Sequence, residues 1–162
     1  MREMRKIKRK QSAEWALEVF DHAPFVTVSM VRPDGTPYAV PVNMVRSDAE
    51  TFYFHCAFEG EKIDCIHFSP IVSLSAVSKC HPCFEEEKCN FTEYYRSAIA
   101  LGRAEEVTDP EEKKEALRLL CERFLPKSMN HFEEAIERSL ERTNVIRIRL
   151  SEPPVGKEKG SL

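Results

Sequence analysis

The sequence predicts a mainly β fold with some α: six or more antiparallel strands that close, or partly close, into a barrel with helices packed around it. Two observations carry this expectation. Runs rich in β-branched and aromatic residues recur along the chain with turn residues between them, and the helical patterns are inserted between those runs or appended to them. So many strands need an arrangement that leaves few open edges, and a barrel supplies one.

The elements follow in order. Ser12 can cap a helix in which Trp15, Ala16, Val19 and Phe20 recur at helical spacing. "PFVTVSMV" and "YAVPVNMV" are strand-like, and the "RPDGTP" between them is a hairpin signal: proline presets one turn angle and glycine supplies a positive φ. "SDAE" turns the chain into "TFYFHCA", so residues 24–57 read as a three-stranded meander. A short helix from Glu61 to Phe68 stops before Pro70, because the residue preceding a proline is pushed out of the helical region. "IVSLSAVS" alternates as a fourth strand, and a cysteine-bearing loop follows. "YYRSAIALGRAEEV" reads as a long strand in which Gly102 marks a bulge or bend. Asp109 or Thr108 caps the next helix, with Pro110 in its first turn and Ala116, Leu117, Leu120 and Phe124 as its buried stripe. A second helix, roughly Asn130 to Leu140, leads to the last strand, "TNVIRIRL".

Composition bounds the function. With 162 residues, 42% of them hydrophobic, the chain has the size of one domain and can bury a core without disulfide staples. A net charge of −3 gives no reason to expect a nucleic-acid partner, although "MREMRKIKRK" is a basic arm with six cations and one acid. No apolar run suits a signal peptide or a membrane span, which leads to the expectation of a soluble, cytoplasmic protein. Six cysteines in that setting read as thiols or metal ligands before disulfides.

Two stretches carry candidate chemistry. In "YFHCAFEGEKIDCIHFSP" a strand delivers its end to Gly60 and a helix start, with Lys62 on the first turn. Free amides, the helix dipole and a lysine make a physically sensible phosphate site, although a Gly-x-Lys at a helix start is also what a solvated turn looks like. In "KCHPCFEEEKC" the pair Cys80 and Cys83, with Cys89 beyond, has zinc-ligand spacing. A zinc or iron–sulfur site, a redox-active thiol pair and incidental surface thiols all remain open for it.

Read together and in order, "DGTPYAVPVN", "YFHCAFEGEK", the "SP" after the short helix and "YRSAIALGRAE" resemble the FMN-binding split-barrel family, which groups pyridoxamine-phosphate oxidases with Nim-type 5-nitroimidazole-resistance proteins; the Nim-type branch is the more similar. The resemblance spans about residues 10–150. It implies a Greek-key-like split β-barrel, placed on residues 12–150; composition sets off the basic arm (1–11) before it and a Pro-, Lys- and Gly-rich, loose tail (151–162) after it. It also implies a homodimer with FMN near the subunit interface. Lys62 falls where the family places a phosphate-binding lysine, which joins it to Gly60 at the helix start. His55, Cys56 and Ala57 fall beside the ribityl chain and ring, Val42 and Asn43 on the strand under the ring, and Ser97 near the cofactor, with Arg96 as a candidate second cation. His55 is the candidate catalytic group, as a proton donor or a contact to substrate and flavin, or else a structural strand-end residue.

The implied activity is reduction of small oxidised compounds such as nitroimidazoles, with electrons from a donor. The alternatives are a non-catalytic flavin sensor or store, or a barrel that binds haem or a deazaflavin. Oxidation of pyridoxamine phosphate itself is not expected, because "RLSEPPVGKEKGSL" lacks the Trp- and Arg-rich segment that grips that substrate.

Overall fold

In the computed structural model, which describes residues 3–160, Ser12 opens the first helix: its Oγ accepts from the Trp15 amide at 3.2 Å. This helix, α1 (Ala13–His22), buries Ala16, Leu17, Val19 and Phe20, the stripe its spacing predicts. The hairpin is present too. β2 (Val26–Val31) pairs with β3 (Pro37–Val42) from Val26↔Val42 to Val31↔Pro37, and the Asp34 carboxylate holds the turn by accepting from the Thr36 amide at 2.9 Å. The two outermost residues of the basic arm and of the tail, Met1, Arg2, Ser161 and Leu162, lie outside the described residues.

The remaining strands are β1 (Lys10–Gln11), β4 (Val45–Arg46), β5 (Thr51–Cys56), β6 (Ile71–Glu85), β7 (Asn90–Glu106), β8 (Asn144–Leu150) and β9 (Val155–Lys159). The helices α2 (Glu61–Phe68), α3 (Pro110–Phe124) and α4 (Phe132–Ser139) lie between them. One sheet of antiparallel pairings runs β3-β2-β6-β7-β8-β5-β4. The 17-residue β7 organises it: β6 pairs along one side, while the other is shared by β9 (Tyr95 to Ile99) and β8 (Gly102 to Glu106). Two strands thus divide one edge of β7 between them.

Four expectations need correction. Residues 24–57 are not a three-stranded meander: β5 leaves β3 and pairs with β8, Phe54↔Ile146 and Cys56↔Asn144 among the pairs. Residues 79–90 are not a loop, because β6 and β7 continue as a hairpin ladder down to Glu85↔Asn90. Gly102 is not the bulge, which falls between Val77 and Lys79; Gly102 instead admits β8, and a Cβ there would lie 2.6 Å from Ile148 Cγ2 and 2.8 Å from the Arg149 carbonyl oxygen. The tail is not loose over residues 155–159, which form β9 and cover an edge of β7 that would otherwise expose unpaired amides and carbonyls.

The three consecutive buried residues of β5 show how the layers lie. Strand alternation sends Phe52 and Phe54 into the barrel with Val28, Leu74, Ile146 and Ile148, and Phe20 meets Phe52 edge-on with ring centroids 5.3 Å apart. Tyr53 faces the other way, into a second cluster with Leu117 and Leu120 of α3 and Phe132 and Ile136 of α4. Both faces of β5 are therefore covered. Glu112 of α3 accepts from the Tyr53 hydroxyl at 2.9 Å and from Arg147 of β8 at 2.7 Å, which fixes the helix over the strands.

Candidate functional site

β5 carries the chain out of the sheet at His55 and Cys56, and four residues later Gly60 starts α2. Gly60 has φ +121°, a conformation side chains rarely adopt, and no side chain caps the helix it precedes. The Ile63 amide turns back to the Gly60 carbonyl at 2.9 Å, which leaves the Glu61 and Lys62 amides free to meet a ligand. Lys62 stands on that turn, half-buried, without a hydrogen bond or ion pair among the described residues. It lies close enough to Cys56 to act on its thiol: burial pushes the Cys56 thiol up, the Lys62 charge pulls it down and Glu106 adds to the rise. Beside it, Glu61 pairs with Arg32, whose guanidinium also donates to the Pro37 carbonyl at 2.9 Å and lies 5.0 Å over the Tyr38 ring, so the β2–β3 turn is tied to the helix start.

Asn43 and His55 line a common cavity beneath α3 and α4. Asn43 follows Val42 at the end of β3 and donates to the Pro24 carbonyl at 3.2 Å. Ala57 is exposed where the chain leaves β5. The structure thus assembles two sets at one end of β5: Cys56, Gly60 and Lys62 at the helix start, and Asn43 with His55 on the helix-covered side.

Ser97 is not brought to this place within one chain. It sits in the first half of β7, opposite β9, with its hydroxyl 3.5 Å from the Lys157 carbonyl, whereas His55 and Cys56 lie opposite Val145 and Asn144 at the start of β8. Arg96 is likewise engaged, donating to Glu158 of β9 at 2.8 Å and lying 5.7 Å from the Trp15 ring.

Nor does one chain assemble the three cysteines. Cys80 and Cys83 lie in an unbroken ladder, opposite Tyr95 and Thr92, and residues three apart on a strand point to opposite faces. Cys89 lies at the hairpin end in the left-handed region, φ 45°. The Cys80 thiol donates to Glu93 at 2.8 Å, and that bond to a carboxylate raises it, so it favours the thiol over the thiolate a metal requires. Among the described residues no group of three or more His, Cys, Asp or Glu is placed to hold a metal ion, and all six cysteines are free.

One polar cluster beside the site escapes sequence reading. Asn144, 1% exposed, is the sole buried polar residue among those described; it donates to Glu106 at 2.5 Å, and Glu106 also accepts from His67 of α2 at 2.6 Å. Asn144 follows Thr143 at a strand start, where asparagine reads as a turn residue, so only the β5–β8 pairing reveals it. The His67 hydrogen bond, opposed by burial and helped by Asn144, holds the Glu106 carboxyl below its ordinary value. A depressed carboxyl stabilises the fold while ionised, so its contribution is full above the ordinary glutamate value of about 4.3 and is lost as pH falls through the folded-state value. Glu106→Gln is expected to be less stable than wild type at pH 7, with the gap closing as the pH of urea unfolding is lowered below 4. A gap independent of pH would refute this.

Residues 12–155 match the family of pyridoxamine 5'-phosphate oxidase. Three solved structures are similar over most of the chain. A flavocytochrome, Anf3, from Azotobacter vinelandii has TM-score 0.82 and 20% identity, over 98% of this chain and 73% of its own. An FAD and haem binding protein from Mycobacterium smegmatis has TM-score 0.80 and 19% identity, over 94% and 74%. A protein assigned to 5-nitroimidazole antibiotic resistance in Bacteroides thetaiotaomicron has TM-score 0.75 and 21% identity, over 90% and 82%. At such identities the likeness establishes the split-barrel fold. No curated protein matches the sequence. No helix among the described residues is long and apolar enough to cross a membrane.

Proposed function

Given that the chain belongs to the pyridoxamine 5'-phosphate oxidase family, we propose that it binds FMN at the exit of β5 and acts as an oxidoreductase on small oxidised compounds, nitroaromatics such as nitroimidazoles among them. The observation that carries this reading is the uncapped start of α2 with a lysine that has no ion-pair partner among the described residues. A phosphate monoester carries nearly two negative charges and calls for amide donors together with a cation, and both are present. Gly60 and Lys62 hold the phosphate; Cys56 and Ala57 flank the ribityl chain; Val42, Asn43 and His55 border the ring. When bound, FMN supplies the electron-transfer chemistry, accepting electrons from a donor and passing them to the acceptor. His55, exposed and without a side-chain hydrogen bond among the described residues, is free to give a proton to a compound being reduced.

The same reading includes a homodimer. The outer face of β2, β6 and β7 presents Thr27, Ser29, Ser73 and Ser75 among Ile71, Val77 and Ile99, which are 44%, 48% and 46% exposed. A flat face of small and apolar residues suits a second copy. Ser97 lies on this face beside Val77, so a dimer could bring it to the partner's cofactor.

Release of the bound ligand by heat and its identification by chromatography test the cofactor. FMN, with a flavin band bleached anaerobically by a nicotinamide donor and restored by a nitroimidazole, is the expected result. FAD, or no flavin after reconstitution, would overturn it. One similar structure is an FAD and haem binding protein, so a Soret band in place of a flavin band would transfer the reading to haem. Sedimentation should show twice the 18.7 kDa chain mass; a monomer that keeps FMN tightly bound contradicts the dimer.

A further inference from the structure

The cavity beneath α3 and α4 extends from Asn43 and His55 along both helices. It is a half-open recess of about 410 Å³, within the roughly 300–1,000 Å³ typical of small-molecule sites. Leu117, Leu120, Phe124, Met129, Phe132 and Ile136 form its walls. In a chain with 31% charged residues, none of its fifteen lining residues is Asp, Glu, Lys or Arg. Apart from the two histidines, His55 and His131, nothing there could replace the hydration a charged guest would lose, whereas apolar surface is favoured. The polar groups include His55, with no side-chain hydrogen bond among the described residues, and Asn43, whose carbonyl oxygen is likewise free.

We propose that this cavity is a substrate recess that takes an uncharged, mainly apolar ring compound, with Asn43 and His55 meeting its polar substituent. The assignment as a substrate recess rests on the flavin reading, which puts His55 beside the cofactor; the cavity's selectivity for uncharged apolar compounds does not. It separates two demands within one site, since the anionic cofactor is met at the start of α2 and the uncharged substrate under α3 and α4.

The test uses N-phenyl-1-naphthylamine, an uncharged probe that brightens in apolar surroundings. Titrated into the protein as purified, it should bind saturably. Ala135→Trp, an exposed α4 position on the cavity lining, should bind it about tenfold or more weakly, because an indole occupies the space. Leu125→Trp provides a second blocked variant if the first fails to fold. Absence of saturable binding, or equal affinity in a folded blocked variant, overturns the cavity. With flavin added to saturation, the probe should shift the flavin absorption band. Probe binding without that shift overturns the recess assignment, and failure to take up flavin overturns the flavin reading while the first titration still judges the cavity.

Discussion

Arg123→Ala is expected to lower the unfolding free energy by about 3 kcal/mol, the scale for removing several hydrogen bonds from a charged donor and leaving their acceptors partly unsatisfied. One guanidinium serves three main-chain carbonyls from two other elements: Phe20 and Ala23 at the end of α1, each at 2.8 Å, and Met44 before β4 at 2.6 Å. Carbonyls at a helix end have no partner within the helix. Burial pushes the Arg123 guanidinium below its ordinary value, with the Arg46 charge adding to the fall and Asp21 opposing it, so this cation sits in poorly hydrated surroundings where its three bonds matter. Arg123→Lys keeps the charge but not the planar fork, so an intermediate loss is expected. Urea unfolding with an unchanged m-value measures both. A loss under about 1 kcal/mol would mean that water replaces the guanidinium. The effect should reach the site, because Met44 is the neighbour of Asn43.

Lys62→Ala is expected to weaken FMN binding by about 1.5–3 kcal/mol, roughly ten- to 150-fold in Kd, while leaving thermal unfolding nearly unchanged. The separation of the two effects follows from the structure. Lys62 makes no hydrogen bond or ion pair among the described residues, so its removal breaks no native contact of that kind. Its electrostatic influence falls on the Cys56 thiol and on whatever anion meets the α2 amides. Lys62→Arg should retain most of the affinity. Titration of flavin-free protein with FMN measures this, and an unchanged Kd would remove Lys62 from the site.

Sequence reading succeeded where the deciding interactions are short in sequence. Ser12 reaches an amide three residues on, and Asp34 one two residues on. Asp109 accepts from Glu111 with Pro110 in the first turn, and Gly60 occupies a backbone conformation that suits it. Its failures concern partners far apart. Alternation in "TFYFHC" tells which side chains share a face, but not that the neighbour of β5 is β8, about 90 residues later. The hairpin through Cys80, Cys83 and Cys89 looks like a loop because it projects beyond the core and needs no apolar alternation, yet its ladder forms and its pleat parts the two nearer cysteines. "VGKEK" has no strand signal of its own and becomes β9 because the edge of β7 is open to it.

For the site the division is the same. The residues by themselves determined a glycine and a lysine at a helix start after a strand ending in histidine, since backbone freedom, charge and helix position are local properties. Only the tertiary structure decided that His55 and Asn43 share a cavity under α3 and α4, that Asn144 is buried against Glu106 and His67, and that Ser97 stands apart from them in a single chain. Strand order and helix docking decide these, through burial and pairing summed over the whole chain, and no short stretch of sequence encodes that sum.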